Sequence, residues 1–198
     1  MMAVHGDSRP VRWGRRLLKL GMAGVAAVVL AASVCGAWAL WLHVSGNLHM
    51  VEPGVYRSAQ PDAADIAARG RDLHLKTILN LRGAHPGTGW YDAESKAAAG
   101  VGARLINIAL SANREPDAAA LAVLIETLRT AEKPLLIHCY SGSDRAGLAS
   151  ALYELIVAHR TPSVSDRQLS FWFGHFPWLS SRSGAMDRTF DRVSTSLP

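Results

Sequence analysis

The chain has 198 residues, room for one domain of about 150 residues plus an appendage, and too few for the ~250 of a usual (β/α)8 barrel. With 49% hydrophobic and 19% charged residues it can bury a core and is not a disordered tail. The formal charge of +5 is concentrated at one end, where Arg9, Arg12, Arg15, Arg16 and Lys19 oppose Asp7 alone. The remainder is nearly balanced, so no general electrostatic grip on nucleic acid is expected.

The basic residues 1–19 precede Leu20–Leu42, a run of 23 residues without a charged side chain. At ~1.5 Å per residue this makes ~34 Å of helix, enough to cross a ~30 Å hydrocarbon core. Trp38 and Trp41 fall where an interfacial aromatic belt would lie. Residues 20–42 therefore read as a transmembrane helix or uncleaved signal anchor. Ala37-Trp38-Ala39 also fits a cleavage site, but the apolar run exceeds the ~7–15 residues of a signal-peptide core. The Arg-rich flank places the N-terminus in the cytoplasm, a single pass through the inner membrane, and the rest of the chain on the periplasmic side. Residues 43–49 read as a linker and 50–198 as the folded domain. Of the two cysteines, Cys35 lies within the span, which leaves Cys139 no disulfide partner in the domain. A lone thiol outside the cytoplasm is unusual unless its chemistry is used.

Within the domain, Val51-Glu-Pro-Gly-Val-Tyr-Arg-Ser predicts strand structure punctuated by a Pro-Gly turn. A helix is expected from Pro61-Asp62 to about Asp72, a buried strand over 75–81, a Gly/Pro-rich loop over 83–89, a helix over 91–99 and a strand over 103–109. Pro116-Asp117 opens a helix whose Ala120, Leu121, Leu124, Ile125 and Leu128 share one face, and residues 134–138 form the next strand. A helix over 145–158 and helical segments over 165–175 and 184–195 complete the chain. Strands alternating with helices imply an α/β fold with a central, mostly parallel sheet flanked by helices.

One stretch carries chemistry: Pro134-Leu-Leu-Ile-His138-Cys139-Tyr140-Ser141-Gly142-Ser143-Asp144-Arg145. A strand, a tight loop and a helix place Cys and Arg six apart. Such a loop can curl until its backbone N–H groups point inward, and the helix end adds positive potential, a cradle for a phosphate-sized dianion. Gly142 supplies the freedom that the curl requires. Tyr140, Ser141, Gly142, Ser143, Asp144 and Arg145 are thus the expected phosphate-binding residues. Cys139 at the base is favoured as thiolate, the nucleophilic form. Arg145 can offer two parallel hydrogen bonds to phosphoryl oxygens, which Lys cannot. His138 is expected to order the loop through ring hydrogen bonds.

His-Cys, five residues and Arg, with Gly three after the Cys, resembles the signature of the cysteine-based protein tyrosine and dual-specificity phosphatases. Pro53-Gly54-Val55-Tyr56-Arg57-Ser58-Ala59-Gln60-Pro61 resembles the first strand of the atypical branch of bacteria, plants and fungi. Arg167-Gln168-Leu169-Ser170 with Gly174-His175-Phe176 resembles the C-terminal helix of membrane-associated bacterial members. The resemblance implies phosphomonoester hydrolysis through a phosphocysteine intermediate, without metal or cofactor. The expected substrate is a phosphorylated protein, a small phosphomonoester or, alternatively, a phospholipid. A phospho-binding protein with little turnover is the rival outside the enzymes.

Two positions depart from the family. The usual Ser or Thr after the Arg is Ala146, which predicts slow hydrolysis of the intermediate. The family's general-acid Asp, some thirty residues before the Cys, has no clear counterpart. The candidates rank Asp144, then Asp117, then Glu115. Asp117 has an ordinary alternative as a helix-starting residue, Glu115 as a solvated charge, and Asp144 as an ion-pair or loop-ordering acceptor. Arg57 and Arg82 stand at predicted strand ends, where a side chain can reach a ligand, although surface charges with no such task are commoner. Trp90, Trp172 and Trp178 read as core or membrane-facing residues.

Overall fold

The computed structural model describes residues 10–178 and 181–196, so the Arg9 end of the basic segment lies outside the described residues. Residues 1–41 and 42–198 form two compact units. The first is the body of α1 (Pro10–Val44), a 35-residue helix and longer than the expected span. Its stretch Arg16–Val44 is apolar enough to cross a membrane, with a mean hydropathy of 2.1.

The second unit opens on a hairpin, β1 (His49–Glu52) and β2 (Val55–Ser58), turned at Pro53-Gly54 with Gly54 at φ 77°. There follow α2 (Ala63–Asp72), β3 (Thr77–Asn80), α3 (Gly89–Gly100), β4 (Arg104–Asn107), α4 (Ala118–Thr130), β5 (Leu135–His138) and α5 (Asp144–Ile156). Short α6 (Pro162–Ser165) and α7 (Gly184–Ser196) end the chain. The sheet order is β1-β2-β5-β3-β4, parallel except for the β1–β2 pair. The mostly parallel sheet flanked by helices thus matches the expected class.

Strand side chains alternate between two cores, as the two-residue period of a pleat dictates. Leu79, Leu135 and Ile137 join Leu124, Leu128, Leu148, Leu152 and Phe190 on the face covered by α4, α5 and α7. Ile78 and Leu136 join Ile66, Leu75 and Ala98 on the face covered by α2 and α3. Because both faces are covered, β3 and β5 are buried throughout, and their sequences read as continuous apolar runs. The strands are four residues each, shorter than the apolar runs that announced them.

The segment expected to be helical over 165–175 is not a continuous helix. After α6 it forms two three-residue 3₁₀ turns, Asp166–Gln168 and Phe171–Phe173. Ser170 is extended between them, and Gly174 at φ 81° stops the second. A left-handed glycine ends helical structure with little strain, which an apolar period alone does not announce.

In register, Ser58, His138 and Asn80 lie side by side at the carboxyl ends of β2, β5 and β3. Cys139, the next residue, therefore stands at the carboxyl edge of the sheet, where open α/β folds bind ligands.

Candidate active site

Cys139 leaves the central strand almost fully buried, at 1% exposure, and residues 140–143 carry the chain into α5. The loop is shaped from outside by donors that take its carbonyl groups. Gln60 N donates to Tyr140 O at 3.1 Å, and Asn47 Nδ2 to Ser141 O at 3.0 Å. Arg57 Nη2 donates to Gly142 O at 2.6 Å and Ser143 O at 3.1 Å, and Gly147 N also reaches Ser143 O. In a planar trans peptide the N–H points opposite to the C=O. With these four carbonyls drawn outward, the N–H groups of Ser141, Gly142, Ser143 and Asp144 face the inner side of the loop.

Gly142 is required twice over. Its φ of 74° is left-handed, and a Cβ there would meet Ala59 N at 2.6 Å and the Ser58 carbonyl at 2.7–2.8 Å. Those atoms are backbone and cannot step aside.

Arg57 is the largest fully buried side chain. Besides the loop it donates to Gln168 O and Oε1 at 2.6 and 2.8 Å, and its guanidinium lies 4.2 Å over the Phe173 ring. Gln168 in turn donates to Glu154 Oε1 on α5 at 2.6 Å. Burial pushes the Arg57 guanidinium down to about 10, partly offset by Cys139, Glu154 and Asp144. It remains a cation at neutral pH. Arg57 is thus neither a surface charge nor turned to a ligand, because both terminal nitrogens of its buried guanidinium donate behind the loop.

Arg145, in the first turn of α5, donates through Nη1 to Leu110 O at 3.2 Å and Leu81 O at 3.4 Å. Its Nε is buried without a partner among the described residues. Such a donor calls for an acceptor that the protein does not supply. Arg82 lies at the end of β3, half-buried, with its guanidinium 3.6 Å over Trp90 and 5.3 Å over Tyr140. Burial and the like charge of Arg145 hold its pKa below the usual value, against Glu94, Tyr140 and Cys139. Trp90 is thus a stacking partner of Arg82, while Trp172 and Trp178 are exposed.

His138 is fully buried and its Nε2 lies 2.6 Å from Glu94 Oε1 on α3. The ring therefore bonds to α3 and not to the loop directly. Glu94 Oε2 accepts from Gln60 Nε2 at 3.0 Å, and Gln60 Oε1 accepts from Arg82 Nη1 at 2.9 Å. This chain joins His138 to the Gln60 backbone that holds Tyr140.

The three carboxylates ranked as acids each have a partner. Asp144 Oδ1 lies 2.7 Å from His175 Nδ1. Asp117 caps α4, accepting from Ala120 N at 2.8 Å. Glu115 binds Arg188 at 2.8 Å and also Arg192, both on α7, and these bonds hold its carboxyl below the usual range.

Asn47 and Glu94 had no signature in the sequence, and Gln60 and Gln168 lay in stretches that carried the resemblance without a task of their own. Asn47 fell in a presumed linker, and the others are single polar residues in ordinary helical or turn contexts.

The family described as "Swiss Army Knife protein, DSP-PTPase phosphatase domain" matches residues 47–186. The chain belongs to that family. As a DSP-type phosphatase it is 32% identical over 157 residues to the dual specificity protein phosphatase TpbA of Pseudomonas aeruginosa, covering 75% of this chain and 67% of TpbA. The fold is shared with solved phosphatases. A crystal structure of TpbA in complex with pTyr superposes with a TM-score of 0.56 at 23% identity, over 77% of this chain and 90% of that one. The catalytic core of the PP-IP phosphatase SIW14 from S. cerevisiae also superposes with a TM-score of 0.56, at 21% identity over 75% of this chain and 91% of its own.

Proposed function

We propose that this phosphatase hydrolyses phosphomonoesters through a phosphocysteine on Cys139. The observation that carries the reading is the outward pull on the carbonyls of Tyr140, Ser141, Gly142 and Ser143, which turns four N–H groups toward one anion site. The Cys139 thiolate attacks phosphorus along the line of the leaving oxygen. The S–P bond forms as the P–O bond breaks, and a carboxylic acid protonates the departing alkoxide or phenoxide. The loop N–H groups and the Arg145 fork stabilise the charge on the equatorial oxygens. Water, deprotonated by the same carboxylate, then attacks phosphorus. The S–P bond breaks, and inorganic phosphate leaves with the thiolate restored.

We assign the acid to Asp117. Residues 111–117 follow Leu110, whose carbonyl receives Arg145, so this loop borders the anion site. The Asp117 side chain is exposed, and its cap bond uses Oδ1 alone. Asp144 has its carboxylate on a buried histidine, and Glu115 holds two arginines.

The apolar Arg16–Val44 stretch supports a single-pass anchor in the inner membrane, with the basic end cytoplasmic and the domain periplasmic. Such a tether supports a second substrate class, because a lipid phosphate in the same bilayer is held at high effective concentration. The relatives point both ways: TpbA is described with pTyr and PTPMT1 with PI(5)P.

The test is phosphate release from p-nitrophenyl phosphate by the full chain in detergent with EDTA, comparing wild type with Cys139→Ser. Turnover abolished by the substitution is expected; equal rates overturn the nucleophile. Phosphotyrosine peptide and vesicle-borne phosphoinositide, offered in parallel, separate the two substrate classes.

A further inference from the structure

His175 is enclosed at 0% exposure between the start of α5 and α7. Its Nδ1 is 2.7 Å from Asp144 Oδ1 and its Nε2 is 2.9 Å from Asp187 Oδ2. An ionised carboxylate only accepts hydrogen bonds, so with both partners ionised both ring nitrogens donate and the ring is a cation between two anions. Gly174, at φ 81°, makes the turn immediately before it. The other charged groups facing this cluster are Asp166, in the turn after α6, Asp191, further along α7, and Arg57 on β2, which feels Asp144.

Asp144 occupies an awkward place for an acidic residue. It is the first residue of α5 and the neighbour of Arg145, and its own N–H is one of the four aimed at the anion site. A carboxylate free to turn there would repel a phosphoryl dianion and compete for Arg145, because both anions seek the same helix end. The hydrogen bond to His175 removes that competition by tying the carboxylate to a ring anchored on α7.

We propose that His175 is a positioning residue of the catalytic loop: clamped by Asp187, it holds the Asp144 carboxylate away from the anion site, so that Arg145 and the loop N–H groups remain available to the substrate phosphate. The inference rests on the reading of residues 139–145 as the phosphate site. It assigns a task to the Gly174-His175 pair and to α7. Burial alone would lower the His175 pKa, but the bonds to Asp144 and Asp187 outweigh it and raise it to about 9, so the clamp holds across neutral pH.

The experiment compares wild type, His175→Gln, Asp144→Asn and the double variant, each as the full chain in detergent. Inorganic phosphate affinity is measured by calorimetry and p-nitrophenyl phosphate kinetics from pH 5.5 to 10. His175→Gln is expected to weaken phosphate binding and raise KM about tenfold, with kcat changed less than about threefold. The alkaline fall in wild-type kcat/KM near pH 9 should vanish in this variant. Adding Asp144→Asn should restore phosphate affinity to within about twofold of wild type, since the carboxylate that needed clamping is gone.

Unchanged affinity and pH profile in folded His175→Gln overturn the clamp, as does a double variant no better than the single one. If His175→Gln does not fold, Asp187→Ala, which removes the ring's anchor on α7, decides: weaker phosphate binding supports the proposal and unchanged affinity overturns it. A wild type that binds phosphate without turnover sinks the Cys139 mechanism while leaving the affinity comparison intact. A wild type that turns over beside an unaffected His175→Gln sinks the clamp alone. A wild type that neither binds phosphate nor turns over sinks the reading of residues 139–145, and the clamp with it.

Discussion

Arg57 meets the carbonyl of Gly142 at 2.6 Å from behind the loop, 85 residues away in sequence. This guanidinium also serves the carbonyl and Oε1 of Gln168, so its removal takes the Arg57 donor from three buried acceptors at once, while Ser143 O keeps Gly147 N. Each buried acceptor left unsatisfied costs about 1–3 kcal/mol, so three of them together cost about 3–5 kcal/mol once the chain relaxes. Arg57→Met should therefore lower unfolding free energy by about that amount in a urea titration and weaken phosphate binding in whatever protein remains folded. A stability change under about 1 kcal/mol would mean that the loop carbonyls find other donors.

Gly142→Ala tests the loop from its inner geometry. The new Cβ would lie 2.6–2.8 Å from the backbone of Ser58 and Ala59, at a left-handed φ of 74°. Strain of about 1–3 kcal/mol comes from the backbone conformation alone, before the clash is counted. The expected outcome is turnover reduced by about 100-fold or more with the far-ultraviolet dichroism retained, because the strain falls on one loop. Wild-type turnover would show that the N–H groups are not held as described.

Cys139, Gly142 and Arg145, the proposed nucleophile, loop glycine and closing arginine, were legible as one loop because they lie within seven consecutive residues, where strand, turn and helix signals coincide. What holds them was not. Arg57 and Asn47 lie 85 and 94 residues from their loop partners and Gln168 lies 111 residues from Arg57, through which it supports the loop; each is an ordinary polar side chain until the chain folds. Asn47 shows the difficulty: a lone Asn after an apolar helix reads as linker, yet it is 1% exposed and bridges Ser141 O to Phe173 O. Arg57 was open between ligand contact and surface charge, and it is neither, since which side a strand-end arginine takes depends on how the strand turns it. The strands β3 and β5, by contrast, were readable as continuous apolar runs because both of their faces are covered.

The buried imidazolium also sets a stability window. Since the bonds to Asp144 and Asp187 outweigh burial and lift the His175 pKa from 6.5 to about 9, its contribution is complete below the unfolded value and is lost as pH rises through about 9. The urea midpoint of wild type should therefore fall between pH 7 and 10 more steeply than that of His175→Gln. Parallel curves would place the ring in its neutral form at pH 7.

Asp117→Asn separates the acid from the cap. Asparagine caps a helix nearly as well as aspartate, so α4 should keep its stability to within about 0.5 kcal/mol. If Asp117 delivers the proton, kcat/KM for a phosphoester with a poor, alkyl leaving group should drop about 100-fold or more, and much less for p-nitrophenyl phosphate, whose leaving group needs little protonation. Equal losses on both substrates, or none, would return the role to Asp144 or Glu115.

Ala146 follows Arg145 in the first turn of α5 and is fully buried. With a methyl group there, no hydroxyl from this position is available to support the Cys139 sulfur as it leaves phosphorus in the second step of the proposed mechanism. The first step needs no such help, since sulfur is then the attacking atom. Ala146→Ser should therefore speed breakdown of the phosphocysteine by about tenfold, roughly the 1.4 kcal/mol of one modest hydrogen bond, and leave its formation unchanged. Quench-flow on the full chain reads the two steps separately: wild type should show a burst of p-nitrophenol followed by a slow steady state, and the serine variant a smaller burst. Identical breakdown rates would mean that the loop N–H groups alone carry the leaving thiolate.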